Sequence, residues 1–140
     1  MSGRFERAQR IRFSHCDPAG IVFFPSYFVL FNGLVEDWVS DALGIPYAAL
    51  IGERRIGLPT VSLQTGFRAI SRMGDAVRLG LEVERLGLRS FTLALDCCGA
   101  DGAQRVQAQQ VIVTTDLDSH RAVEIPEDLR AAIERFRQRP

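Results

Sequence analysis

The chain has 140 residues, 46% of them hydrophobic, which is enough for one globular domain with a core of its own. Lys+Arg and Asp+Glu both number 17, so there is no net field to draw nucleic acid or an anionic membrane, and neither is expected as a partner. Cys16, Cys97 and Cys98 lack zinc-ligand spacing, the first residues MSGRFERAQR carry no apolar h-region, and no run of about eighteen apolar residues occurs, so a soluble protein of the reducing cytoplasm is expected.

In chain order, Arg7 to Phe13 alternate loosely between polar and apolar, as a strand does, and run into the turn formers Cys16-Asp17-Pro18-Ala19-Gly20. From Ser26 onward Tyr27, Leu30, Phe31, Leu34, Val35, Trp38, Ala42 and Leu43 recur at three- and four-residue steps, with Asp37 and Asp41 on another face. That spacing predicts a long amphipathic helix stopping near Leu43, capped by Gly44 and ended by Pro46. Val61, Leu63, Thr65, Phe67 and Ala69 fall on one face of a following strand. Val77 to Glu84 and Phe91 to Cys97 alternate as two more, and Arg105 to Thr115 forms the last after a turn at Gly99 to Gly102. Pro126 opens a short helix through Phe136, with Glu127 and Asp128 in its first turn, where the helix dipole favours negative charge.

One strand, one long helix and then strands joined by turns give an α+β domain spanning residues 1–140, in which a mostly antiparallel sheet wraps around a central helix. One helix covers only one face of such a sheet, so the other face must meet solvent or a second subunit, and a second subunit is expected.

Asp17 carries the chemistry. Asp-Pro-x-Gly is a common turn in which the carboxylate accepts backbone hydrogen bonds, and the tetrapeptide alone implies no more than that. Gly20 to Phe24, however, form an uncharged approach to a helix N-terminus, whose first N–H groups lack intrahelical partners. A carboxylate beside such donors has both parts that thioester hydrolysis needs, a nucleophile or base and an oxyanion site, without a metal. His15 lies two residues before Asp17, where it either tunes the carboxylate or is a hydrogen-bonded strand-end histidine. Cys16 is expected in the core, and His120 in a polar turn.

The stretch IRFSHCDPAGIVFFPSYF resembles the active-site segment of the 4-hydroxybenzoyl-CoA thioesterase family, within the hotdog-fold superfamily. GLPTVSLQTGF, LRSFTLAL and AVEIPEDLRAAI resemble the corresponding strands and terminal helix, so the likeness covers nearly the whole chain. It implies a hotdog fold, with dimers paired into a homotetramer, and an acyl-CoA substrate with no other cofactor. Asp17 is then the catalytic carboxylate and the Phe24 backbone N–H the donor that polarises the carbonyl. Arg89 and Ser90 fall near the nucleotide phosphates, and Thr60 lines the acyl pocket. Asn32 stands where the hydroxybenzoyl enzyme has an acidic side chain facing its acyl group, which leaves the acyl group open. The resemblance also implies that each site joins Asp17 of one subunit to the helix approach and pocket of the other. Two other functions fit the fold: a hydratase or dehydratase, which needs a catalytic histidine that the helix approach lacks, and a noncatalytic acyl-CoA-binding protein.

Overall fold

The computed structural model describes residues 3–140. Strand β1 (Arg4–Arg10) leads through a single 3-10 turn at Phe13–His15 to helix α1 (Phe24–Asp37), which continues as a wider π-helical turn over Trp38–Ala42. The short strand β2 (Ile56–Gly57) precedes β3 (Thr60–Phe67), β4 (Ala76–Leu86), β5 (Ser90–Gly99) and β6 (Gln104–Val113); β7 (Thr115–Asp116) and helix α2 (Glu127–Arg137) close the chain. The main sheet has five antiparallel strands in the order β1-β4-β5-β6-β3, and β2 pairs with β7 separately. This is the α+β architecture expected, with the helix packed on one face of the sheet.

Alternation builds the core. Val77, Leu79, Leu81 and Val83 of β4 share their buried face with Phe91, Leu93, Leu95 and Cys97 of β5 and with Val106, Ala108 and Ile112 of β6. Against this layer α1 sets Tyr27, Phe31, Leu34, Val35 and Trp38. Each fully buried aliphatic or aromatic side chain contributes about 1.5–3 kcal/mol. The Trp38 ring lies between Phe91 and Phe136, at centroid distances of 6.0 and 5.6 Å, so α2 is pinned to the end of the central helix. Among the described residues no helix is long and apolar enough to cross a membrane.

Three boundaries differ from the expectation. The first strand spans Arg4–Arg10 rather than Arg7 to Phe13, because pairing with β4, from Arg4↔Glu82 to Arg10↔Ala76, decides it. Phe5 is its one buried side chain, so apolar alternation carries little signal there. On the outer face Arg4 bridges Glu6, Glu82 and Asp96 at 2.6–3.0 Å, tying β1 to β4 and β5. A Cβ on Gly80 would meet that guanidinium, so a side chain there would have to displace Arg4 from its acidic partners. The long helix starts at Phe24 rather than Ser26, since Pro25 fits the first turn, where an N–H is not needed. The last strand stops at Val113, because the wholly buried Thr114 turns its hydroxyl inward to donate to the Val123 carbonyl at 2.7 Å.

Strand β3 is an edge. Leu63, Thr65 and Phe67 do share a face, but Val61 sits in a β-bulge between Thr60 and Ser62, and Ala69 lies beyond the strand. Val61 and Leu63 stay 60% and 42% exposed, an apolar edge of the kind that soluble proteins usually cover.

Candidate active site

Asp17 opens a loop whose ends are held together. Cys16 and Val22 form an antiparallel bridge, the Asp17 N–H donates to the Ile21 carbonyl at 3.0 Å, and the Phe23 N–H donates to the His15 carbonyl at 2.9 Å. The Gly20 N–H donates to the Asp17 carbonyl at 2.9 Å, with Gly20 at φ 79°, a conformation that a residue with Cβ rarely adopts. Asp17 Oδ1 accepts the Ala19 N–H at 2.9 Å, which is the turn role anticipated for it. Among the described residues nothing donates to Oδ2. The half-buried carboxylate is therefore oriented through one oxygen and free at the other.

Phe24 is the first residue of α1, so its N–H has no intrahelical acceptor, and none of the described residues supplies another. Pro25 has no N–H, which leaves Phe24 as the outermost helical donor of this turn. One loop thus delivers both a carboxylate and an unpaired donor. His15 is in the 3-10 turn, not in extended chain: its Nδ1 accepts the Arg12 N–H at 2.9 Å, and among the described residues no hydrogen bond joins it to Asp17. Cys16 is partly buried against the core, with its thiol 3.5 Å from the Arg12 carbonyl.

A second segment holds the crown of this loop. The Val22 N–H donates to Ser71 O at 3.0 Å, Ile21 bridges to Arg72, and the Met73 N–H donates to Gly20 O at 3.2 Å. That segment is shaped by Arg105 of β6, whose Nη1 donates to Asp75 Oδ2 at 2.8 Å and to the buried Ser71 Oγ at 3.2 Å. The same carboxylate oxygen accepts the Arg72 N–H at 2.9 Å. The Arg72 N–H and then the Arg105 guanidinium hold the Asp75 carboxyl below its ordinary value. Beneath lies Tyr27, whose phenol is pushed up by burial, with a hydrogen bond to Ser71 acting the other way. Sequence reading missed Ser71, Asp75 and Arg105, because residues 30 and 34 apart in the chain leave no periodic trace.

Asn32 and Thr60 come together in a cavity of about 330 Å³ between α1 and β3. Its walls are apolar, with Phe28, Phe31, Leu63 and Leu95, and its remaining polar lining residue is Gln110, which donates through Nε2 to Thr60 Oγ1 at 2.7 Å. Gln110 was legible but overlooked: on β6 it occupies the face of Val106, Ala108 and Ile112, where an amide is out of place. Neither Asp17 nor Phe24 lines this cavity. Phe23 and Phe24, both more than half exposed, instead form an aromatic rim with Phe67, at a Phe24–Phe67 centroid distance of 6.2 Å.

Arg89 and Ser90 stand at the far end of the sheet. Ser90 opens β5 opposite Val113, whereas the Asp17 loop docks on the segment before β4, near the Cys98 end of β5. At about 3.4 Å per residue the two ends of that strand are roughly 30 Å apart. The Arg89 side chain is exposed, and among the described residues it makes no ion pair; its carbonyl accepts the Thr114 N–H at 2.9 Å. The Cys97 thiol is pushed up to about 12 by burial, against the pull of Arg105, which makes it an inert core side chain. His120 lies in an exposed turn at φ 60°.

The chain as a whole is similar to known proteins. The 4-hydroxybenzoyl-CoA thioesterase of Pseudomonas sp. (strain CBS-3) is 28% identical over 127 residues, covering 86% of this chain and 90% of that one. Its solved structure superimposes with a TM-score of 0.82 at 25% identity, over 94% of this chain and 99% of that chain. A gentisyl-coenzyme A thioesterase structure gives a TM-score of 0.84 at 26% identity, covering 92% and 99% of the two chains. The model of the thioesterase-like superfamily matches residues 11–133, from the buried Ile11 before the Asp17 loop to Ile133 of α2, and the chain belongs to that superfamily.

Proposed function

We propose that this protein hydrolyses the thioester of a small aromatic acyl-CoA, with Asp17 as the reacting carboxylate and the Phe24 N–H as the donor to the carbonyl oxygen. The observation that carries this is the single loop that presents a carboxylate oxygen without a partner and an unpaired helix-terminal N–H, closed by the Cys16–Val22 bridge. The thioester carbonyl accepts from Phe24, which stabilises the oxyanion as the carbonyl carbon becomes tetrahedral. Asp17 Oδ2 then bonds to that carbon, or takes a proton from a water that does; the C–S bond breaks and the thiolate leaves and is protonated. In the first case water cleaves the resulting anhydride and restores the carboxylate. Single turnover in heavy-oxygen water identifies the anhydride route when label enters Asp17, which requires water to attack the aspartyl carbonyl of the anhydride.

The aromatic acyl group is supported by the Phe-lined cavity of about 330 Å³ and by the two similar enzymes, whose names specify hydroxybenzoyl and gentisyl thioesters. Because that cavity does not include Asp17, a second copy is proposed to complete each site, paired along the exposed apolar edge of β3. Because one closed loop carries both Asp17 and the helix start, the carboxylate and the Phe24 donor are proposed to come from one chain and only the acyl pocket from the other, in place of the expectation that the helix approach comes with the pocket. Arg89 and Ser90, at the distal end of the sheet, are proposed to meet the nucleotide phosphates, for which a guanidinium is suited. A panel of benzoyl, hydroxybenzoyl, phenylacetyl and short aliphatic CoA esters, read by thiol release, tests the reading. Turnover of the aromatic esters supports it, and hydration of an enoyl-CoA without thiol release would replace it with the hydratase function.

A further inference from the structure

Gln110 raises a question that the fold does not answer. It is 8% exposed, on a core-facing row whose other members are Val106, Ala108 and Ile112, and a buried amide there costs desolvation unless each end is satisfied. Nε2 is satisfied, since it donates to Thr60 Oγ1 at 2.7 Å. Oε1 is not: among the described residues no donor reaches it. Nor is it sealed in the core, because the enclosed and unpartnered side-chain atoms of the described residues are Trp38 Nε1 and Thr65 Oγ1. Gln110 lines the cavity, so the cavity is where Oε1 keeps its surface. Thr60 Oγ1 uses a lone pair on Gln110, which leaves its own O–H free to donate. No charged side chain lines the cavity.

We infer that the Gln110–Thr60 pair determines acyl specificity by reading a hydroxyl on the acyl group. The inference rests on the reading of this cavity as the acyl pocket. A hydroxyl matches both vacant positions at once: its oxygen accepts from Thr60 Oγ1 and its hydrogen goes to Gln110 Oε1, closing a ring of hydrogen bonds with Nε2. A hydrogen in its place satisfies neither group, a methoxy oxygen leaves Oε1 without a donor, and a carboxylate brings uncompensated charge among phenylalanine and leucine side chains. A site built to bond a hydroxyl rejects the analogue lacking it because its own polar groups are stranded.

The test compares kcat/KM for hydroxybenzoyl-, methoxybenzoyl- and benzoyl-CoA in the wild type, Gln110→Met and Thr60→Val. Binding of hydroxyphenacyl- and phenacyl-CoA thioethers, which cannot be hydrolysed, is measured alongside by calorimetry. The wild type is expected to favour the hydroxylated ester and thioether by about 10- to 100-fold. Both variants should narrow that ratio to within about threefold while still turning over benzoyl-CoA, and Thr60→Val, at an exposed edge position, serves even if Gln110→Met does not fold. A wild type without the preference, or a preference that survives in the folded variants, overturns the inference. If no thioester is hydrolysed yet the hydroxylated thioether still binds more tightly in a Gln110-dependent way, the hydrolytic function falls and this inference stands.

Discussion

Replacing Arg105 by Met should loosen the loop that carries Asp17 without touching substrate. The guanidinium donates to Asp75 Oδ2 at 2.8 Å and to Ser71 Oγ at 3.2 Å, with 19% of the Arg105 side chain and 33% of the Asp75 side chain exposed. A hydrogen bond to a charged group contributes about 1.5–3 kcal/mol, and partial exposure of the carboxylate reduces this, so the loss should be about 1–2 kcal/mol. For a domain of this size that lowers Tm by about 3–8 °C. The pH dependence has a definite sign. The Asp75 carboxyl is held below its ordinary value of 3.8, so its contribution is full above that pH and disappears as the pH falls through the folded value. The Tm difference between wild type and variant should therefore be largest near neutrality and shrink below about pH 4. Hydrogen exchange should quicken at the Val22 and Met73 amides, which join the loop to the Ser71–Met73 segment, and not in β5. Small displacements of reacting groups are costly, so kcat should fall about tenfold with KM within about twofold, and Arg105→Lys should recover part of it. Unchanged kcat in the folded variant, together with unchanged exchange at Val22 and Met73, would refute the argument that Arg105 positions the loop.

Arg89→Ala should raise KM for CoA thioesters about tenfold and leave a truncated thioester without the nucleotide unaffected, an effect that weakens in high salt; equal losses on both substrates would remove Arg89 from phosphate binding. Gly20→Ala should cost about 1–2 kcal/mol at φ 79°, although the added methyl meets no atom within 4 Å, and thermal unfolding checks it. Leu63→Arg on the edge of β3 should give a folded monomer without thiol release, whereas a fully active monomer by light scattering would end the two-copy site.

The helix and the inner strands were legible because their apolar residues repeat at the period of the element and each period faces one core. Val77 to Val83 and Phe91 to Cys97 alternate on the same buried face that the spacing predicts. Where pairing rather than burial makes the strand, the signal fades: Arg7 and Gln9 of β1 face inward without being core, and Arg7 finds its place by reaching Asp41 at 2.6 Å. The two-residue ladder of β2 and β7 is too short to show any period. At the site, Asp17 and the helix start were readable as a turn before an amphipathic run. The clamp from Arg105 to Asp75 and Ser71 was not, since it is made by residues from separate turns and strands. Gln110 lay between the two cases, visible as an amide on an apolar stripe once the strand's facing was known.

Thiol release from an aromatic acyl-CoA by Asp17→Asn shows whether this carboxylate performs the hydrolysis. The amide keeps an oxygen for the Ala19 N–H, so the loop and the thermal stability should be retained, and unchanged circular dichroism and Tm would verify that. Turnover should fall by at least about a thousandfold, because the variant has neither a charged nucleophile nor a base in the loop that leads to the Phe24 donor. Hydrolysis by Asp17→Asn at the wild-type rate would contradict the assignment of Asp17 and, with it, this account of the active site.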